Sequence, residues 1–133
     1  MARKAKEIYV NLPVKDLQKS VEFFSKLGFG FNKEMTDENA TCMIVGDHIY
    51  VMLLMEEFFR KFTQKQLTDS GAATEVIIAI SADSKEEVDE MVHIAIDAGG
   101  SASNDKMDND YMYGWSFQDI DGHLWEVMYM PEW

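Results

Sequence analysis

One order of elements occurs twice along this chain, and that repetition constrains the fold more tightly than any other feature. The first unit opens with a β-type run, Ile8-Tyr9-Val10-Asn11-Leu12, ending at Pro13. A helix is expected from Asp16, whose side chain can accept from a first-turn amide. Leu17, Val21, Phe24 and Leu27 then recur at helical spacing, and Gly28 suits the left-handed position that ends a helix. Two alternating runs follow, Ala40–Val45 and Ile49–Met55, joined at Gly46-Asp47 as a β-hairpin. The second unit repeats the series. Val76–Ile80 is a strand, and Ser84-Lys85-Glu86-Glu87 is a capping box opening a helix. That helix carries the stripe Val88, Met91, Val92, Ala95 and Ala98 and stops at Gly99-Gly100. Strands near Met112–Phe117 and Leu124–Met130 flank a turn at Asp119–His123. Short edge strands are expected near Phe29–Met35 and Ser101–Lys106.

The expected organisation is one domain over 1–133, with a first module about 7–55, a connecting helix about 56–74 and a second module about 75–131. The connection reads as an amphipathic helix because it carries Phe58, Phe59, Phe62 and Leu67 among its charges. A chain of 133 residues is long enough to bury a core without disulfides. Its single cysteine, Cys42, excludes an internal disulfide and a cysteine-only metal cluster. Asp and Glu outnumber Lys and Arg 24 to 12, for a net charge of −12. That balance disfavours nucleic acid and anionic membrane surfaces, both of which select clustered Lys and Arg. No apolar run approaches the ~20 residues of a membrane span. The opening stretch, MARKAKEIYVNLPV, lacks the long apolar core of a signal peptide. A cytoplasmic location is the expectation.

Two segments resemble the vicinal oxygen chelate superfamily, which includes glyoxalase I, extradiol dioxygenases, fosfomycin resistance enzymes and bleomycin-sequestering proteins. One is Asn11-Leu12-Pro13-Val14-Lys15-Asp16-Leu17, running through Val21-Glu22-Phe23-Phe24 to Leu27-Gly28-Phe29. The other is Tyr113–Val127, with Asp119-Ile120-Asp121-Gly122-His123-Leu124-Trp125-Glu126 at its centre. The resemblance implies an α+β fold of two βαβββ modules whose curved sheets form an open barrel around one cavity. It also implies a homodimer and, in the metalloenzymes, a divalent ion held by the first and last strands of the modules. Reactions in this superfamily run from isomerisation and ring cleavage to plain sequestration, so the fold does not choose among them.

A divalent ion needs three or four converging donors. Set against the family pattern, the first ligand position falls on Tyr9, with Asn11 on the same strand face. The second falls near Val76, with Glu75 one residue away, and the hairpin strand offers no carboxylate before Glu56. Only Glu126 matches fully, so the metal candidates are Glu126 and Glu75. Alternation along the last strand sends Leu124, Glu126 and Met128 to one face and Trp125, Val127 and Tyr129 to the other. The aromatic set is expected to pack on helices and Glu126 to line a cavity, as a general base or a seat for a cationic ligand. The residues expected to bind ligand are Tyr9, Asn11, Tyr113, Trp115 and Met128. Ten methionines suit an adaptable apolar pocket and equally fill cores. His48, His93 and His123 lack ligand spacing, and Cys42 has no base beside it.

Three functions follow from these readings. The first is a glyoxalase/bleomycin resistance/dioxygenase-family protein that binds a small organic molecule without a complete metal site. The second is a divalent-metal-dependent lyase or dioxygenase using Glu126, similar to lactoylglutathione lyase or the extradiol enzymes. The third is a non-catalytic interaction module acting through Glu56–Thr74.

Overall fold

The structure, a computed structural model, describes residues 2–131. The chain divides into two compact units, Met1–Leu67 and Thr68–Trp133, each an α+β module.

In the first unit, strand β1 (Ile8–Val14) leads to helix α1 (Leu17–Lys26), then to β2 (Gly30–Asn32), β3 (Ala40–Gly46) and β4 (Ile49–Met55). The sheet order is β1-β4-β3-β2, with β1 parallel to β4 and the other pairs antiparallel. Helix α1 starts where the Asp16 side chain accepts from the Lys19 amide at 3.1 Å. It ends at Gly28, whose φ of 101° only glycine adopts without strain. Leu12, Val14, Phe23, Phe24, Val51 and Leu53 are almost wholly buried, which sets the α1 side of the sheet. At about 1.5–3 kcal/mol for each large apolar side chain removed from water, this cluster is the unit's main source of stability. Tyr9 and Asn11 alternate with that core and face away from it.

In the second unit, β5 (Ile77–Ser81) precedes α3 (Lys85–Asp97), and two-residue strands β6 (Ser101–Ala102) and β7 (Met107–Asp108) lead into β8 (Tyr113–Gln118) and β9 (Leu124–Tyr129). The order is β5-β9-β8-β6, with β7 also paired to β8 and β5 parallel to β9. The capping box forms in a shifted version. Ser84 accepts from the Glu87 amide at 3.1 Å, but the Glu87 carboxylate reaches the Asp83 amide at 2.6 Å and not that of Ser84. Val88, Val92 and Ala95 of α3 pack against Phe117, Trp125 and Val127, and all six are fully buried.

The connecting segment departs from the expectation of a helix over 56–74. Helix α2 covers only Glu56–Phe59, with one 3₁₀ turn at Arg60–Phe62, and no helix follows before α3. Glu56 and Glu57 suit a helix start, but none of the segment's residues is fully buried and Phe62 is 67% exposed. With its apolar face left unburied, a short helix does not propagate. The edge strands are likewise shorter than expected: Phe29–Met35 yields three strand residues and a 3₁₀ turn, and Ser101–Lys106 yields two.

Candidate functional site

The turn between β8 and β9 is organised by one carboxylate. Asp119 is 5% exposed. It accepts hydrogen bonds from the amides of Asp121 at 2.9 Å and His123 at 3.0 Å, and from Trp125 Nε1 at 3.0 Å. Burial pushes its carboxyl above the usual carboxylate range, opposed by His123, the Trp125 bond and the two amides. Asp119 also donates its own amide to the His123 carbonyl, and Gly122 turns the chain at a φ of 88°. Gln118 therefore faces Leu124, and every pairing beyond is fixed: Phe117 with Trp125, Ser116 with Glu126, Gly114 with Met128.

That register gives β9 two different faces. Trp125 and Val127 are fully buried against α3, and Glu126 and Met128 lie on the side away from it. There they line an open cleft of about 80 Å³ together with Ser116, Gly114 and Met112 of the β8 region. Asn104, Asp105 and Met107, from the segment joining β6 to β7, form its rim. The floor is open because Gly114 has no side chain, since a Cβ there would meet Met112 Cε at 3.0 Å and Met128 Cγ at 3.6 Å. Ser116 Oγ accepts from the Asn104 amide at 2.8 Å, which ties the rim to the floor. The cleft thus sets two carboxylates, a hydroxyl and an amide side chain among three thioethers, a combination suited to a small molecule with an apolar body and a hydrogen-bond donor.

Of the other residues expected at the site, Trp115 is one that also lines this cleft. Tyr113 and Trp115 stand opposite Tyr129 and Val127, so their rings take the α3 side. The Tyr113 hydroxyl donates to Asp89 Oδ1 of α3 at 2.6 Å, and the His93 ring meets the Trp115 ring edge-on at 5.2 Å. Trp115 still borders the cleft, and Tyr113 does not. Counting outward from the Asp119–His123 turn pairs Glu126 with Ser116, a sequence signal that puts Tyr113 and Trp115 on the opposite face. Sequence reasoning missed Ser116, Gly114, Met112 and the rim. In the first unit, Tyr9 stacks on Tyr50 at 4.9 Å, with Glu7 accepting from Tyr9 at 3.0 Å and from Tyr50 at 3.5 Å. Asn11 is exposed beside them, and Cys42 is fully buried, its thiol pushed up by burial. Glu75 is exposed just before β5. His123 is 8% exposed, and His48 sits at the hairpin with a φ of 63°.

These carboxylate–phenol contacts carry a pH signature. The bond to Asp89 raises the Tyr113 phenol, the bond to Glu7 raises that of Tyr9, and Tyr113 with Asp89 raises Lys106. Unfolded tyrosines lose protons near 10.0, before the folded ones do. Between the two values the folded chain binds more protons, so stability is full below the unfolded pKa and falls as pH rises through the folded one. The thermal midpoint is expected to drop between about pH 9 and about pH 11, and to drop less in Asp89→Asn. An equal slope in that variant would remove Asp89 as the cause.

Comparison with known proteins agrees with this architecture. Residues 6–46 match the family described as bleomycin resistance protein-like N-terminal. A hypothetical protein from S. aureus is 28% identical, with 96% of this chain and 95% of that one covered and a TM-score of 0.81. A glyoxalase-related enzyme from Fulvimarina pelagi is 17% identical, covering 97% and 91%, also with a TM-score of 0.81. A glyoxalase/bleomycin resistance protein/dioxygenase family enzyme from Burkholderia phytofirmans is 18% identical, covering 92% and 97%, with a TM-score of 0.77. The chain has the vicinal oxygen chelate fold. No curated protein matches it in sequence.

Metalloenzymes of the vicinal oxygen chelate fold require donors that the described residues do not assemble. Among the described residues, no three His, Cys, Asp or Glu side chains gather where an ion could sit. The Tyr9 phenol is engaged by Glu7, Val76 is apolar, and the cleft at Glu126 adds only Asp105. Two carboxylates, with a neutral hydroxyl that already accepts from the Asn104 amide, are not the three His, Cys or carboxylate ligands of a catalytic divalent centre. The donor set among the described residues does not fit a divalent metal centre. Among the described residues, no helix is long and apolar enough to cross a membrane.

Proposed function

We propose that this vicinal oxygen chelate protein binds a small organic molecule in the second unit's cleft, with Glu126 receiving a protonated amine or another hydrogen-bond donor. The carrying observation is that Glu126 and Met128 line one cleft with Gly114 and Ser116 on the side of the sheet away from α3. The chain's net charge of −12 favours cationic ligands at long range. Met107, Met112 and Met128 supply adaptable contact for the apolar body, since unbranched thioethers repack around varied shapes. Seven similarly folded proteins carry glyoxalase or glyoxalase-type names, which is consistent with a small-molecule site and leaves its chemistry to the residues.

Benzylammonium, which joins one cation to one ring, is the test ligand. Titrated into the protein, it is expected to shift the methyl resonances of Met107, Met112 and Met128 saturably. In Glu126→Gln, which keeps shape and loses charge, the affinity is expected to fall about tenfold, in line with about 1.5–3 kcal/mol for a hydrogen bond to a charged group. Gly114→Ala, which narrows the floor at unchanged charge, is expected to weaken binding also. Methyl shifts of equal size and midpoint in both variants would place the ligand elsewhere and sink the proposal.

A further inference from the structure

The segment joining β6 to β7 has two sides. Asn104, Asp105 and Met107 look onto the cleft, and Lys106, between them, goes the other way. Its ammonium lies over the Trp115 ring, 4.6 Å from the centroid, and 3.4 Å from Asp89 Oδ1 of α3. The same Asp89 oxygen accepts from Tyr113, so carboxylate, phenol, indole and ammonium form one cluster on the helix side of the sheet. The flanking strands are only two residues each, too short to hold the segment by their ladders alone. Beyond those ladders, the Asn104–Ser116 bond, the Lys106 cluster and the Lys85–Asp108 ion pair tie the segment to the rest of the unit.

We infer that Lys106 is a positioning residue for the cleft: clamped on Asp89 and Trp115, it holds Asn104, Asp105 and Met107 against Ser116, Glu126 and Met128. The inference rests on the cleft being the ligand site, because it assigns Lys106 a role in the shape of that site. The placement of the side chains supplies the mechanism, since Lys106 is anchored on the helix side while its neighbours Asp105 and Met107 line the cleft. An ammonium already held over an aromatic face and beside a carboxylate loses little freedom when a ligand arrives, so the rim is pre-formed and not ordered by binding.

The test is Lys106→Met, which keeps the stem and deletes the charge, beside Lys106→Arg, whose guanidinium can still stack on the indole and pair with Asp89. In Lys106→Met the Asn104 amide is expected to exchange with solvent about fivefold faster, the Met107 methyl to shift, and benzylammonium to bind about fivefold more weakly. The thermal midpoint is expected to stay close to that of the parent, because the Lys106–Asp89 pair is only half-buried. Lys106→Arg is expected to restore all three readouts, which a loss of general packing would not allow. Unchanged exchange at Asn104 and an unmoved Met107 methyl in Lys106→Met would overturn the inference, as would failure of Lys106→Arg to restore them. If the parent protein does not bind benzylammonium, the ligand reading fails, and the Asn104 exchange rate still decides whether Lys106 holds the rim.

Discussion

Asp119→Ala is expected to cost about 3 kcal/mol of folding stability, a large share of what a chain of this size has to lose. The side chain accepts two backbone amides and the indole N–H of Trp125, all at about 3 Å, from a nearly buried position. Alanine removes three acceptor contacts at once and leaves a void beside Trp125, the largest of the fully buried side chains. Part of the loss is offset, because burial already holds the charged carboxylate at a disadvantage. Asp119→Asn separates the contributions. Its amide oxygen can keep the Asp121 and His123 bonds, but its NH₂ then meets the indole N–H donor to donor, for an expected cost of about 1–2 kcal/mol. Urea unfolding followed by tryptophan fluorescence reads both values. A loss under about 1 kcal/mol for alanine would mean that the turn holds without its carboxylate.

The same carboxylate shows how much of the site was legible in the sequence. Strand alternation along Leu124–Tyr129 sorted Glu126 from Trp125 and Val127, because a two-residue period needs no partner to be read. The doubled strand–helix–strand–strand order was legible for the same reason: capping at Asp16 and Ser84 and the glycine stops at Gly28 and Gly99 are local signals. The faces of Tyr113 and Trp115 depended on pairing with β9, and pairing is set by the length of the Asp119–His123 turn, a relation between two strands. The rim was harder still. Strands β6 and β7 have two residues each, below the length at which alternation carries information, and Lys106 finds Asp89 and Trp115 only after the chain has turned back on itself. The connecting segment misled in the opposite direction. Its phenylalanines have helical spacing, yet only Glu56–Phe62 is helical, and Phe58 packs edge-on against Phe62 with Lys61 over its ring. Local ring contacts meet there a demand that a longer helix would have met by burial.

Gly122→Ala is expected to be about as damaging as Asp119→Ala, for a reason confined to the backbone. Gly122 has a φ of 88°, a conformation that costs a residue with a Cβ about 1–2 kcal/mol. The added Cβ would also stand 2.5 Å from the Ser70 carbonyl oxygen, 3.0 Å from its carbonyl carbon and 3.1 Å from Gly71 Cα. All three are main-chain atoms, so no rotamer change relieves the contact, and the 69–71 segment must move away. That segment is held by the Ser70 hydroxyl, which donates to the Asp121 carbonyl at 2.6 Å, and moving it breaks the bond. Strain and displacement together are expected to cost about 3 kcal/mol. Ser70→Ala, which loses the bond but keeps the chain path, is expected to cost about 1 kcal/mol. A smaller loss in Gly122→Ala than in Ser70→Ala would show that the loop yields freely and that the turn does not depend on this approach. The functional consequence follows from register: Glu126 reaches the cleft only while Gln118 faces Leu124 across this turn. Protein that remains folded in Gly122→Ala is therefore expected to bind benzylammonium more weakly, although the substitution touches no residue that lines the cleft.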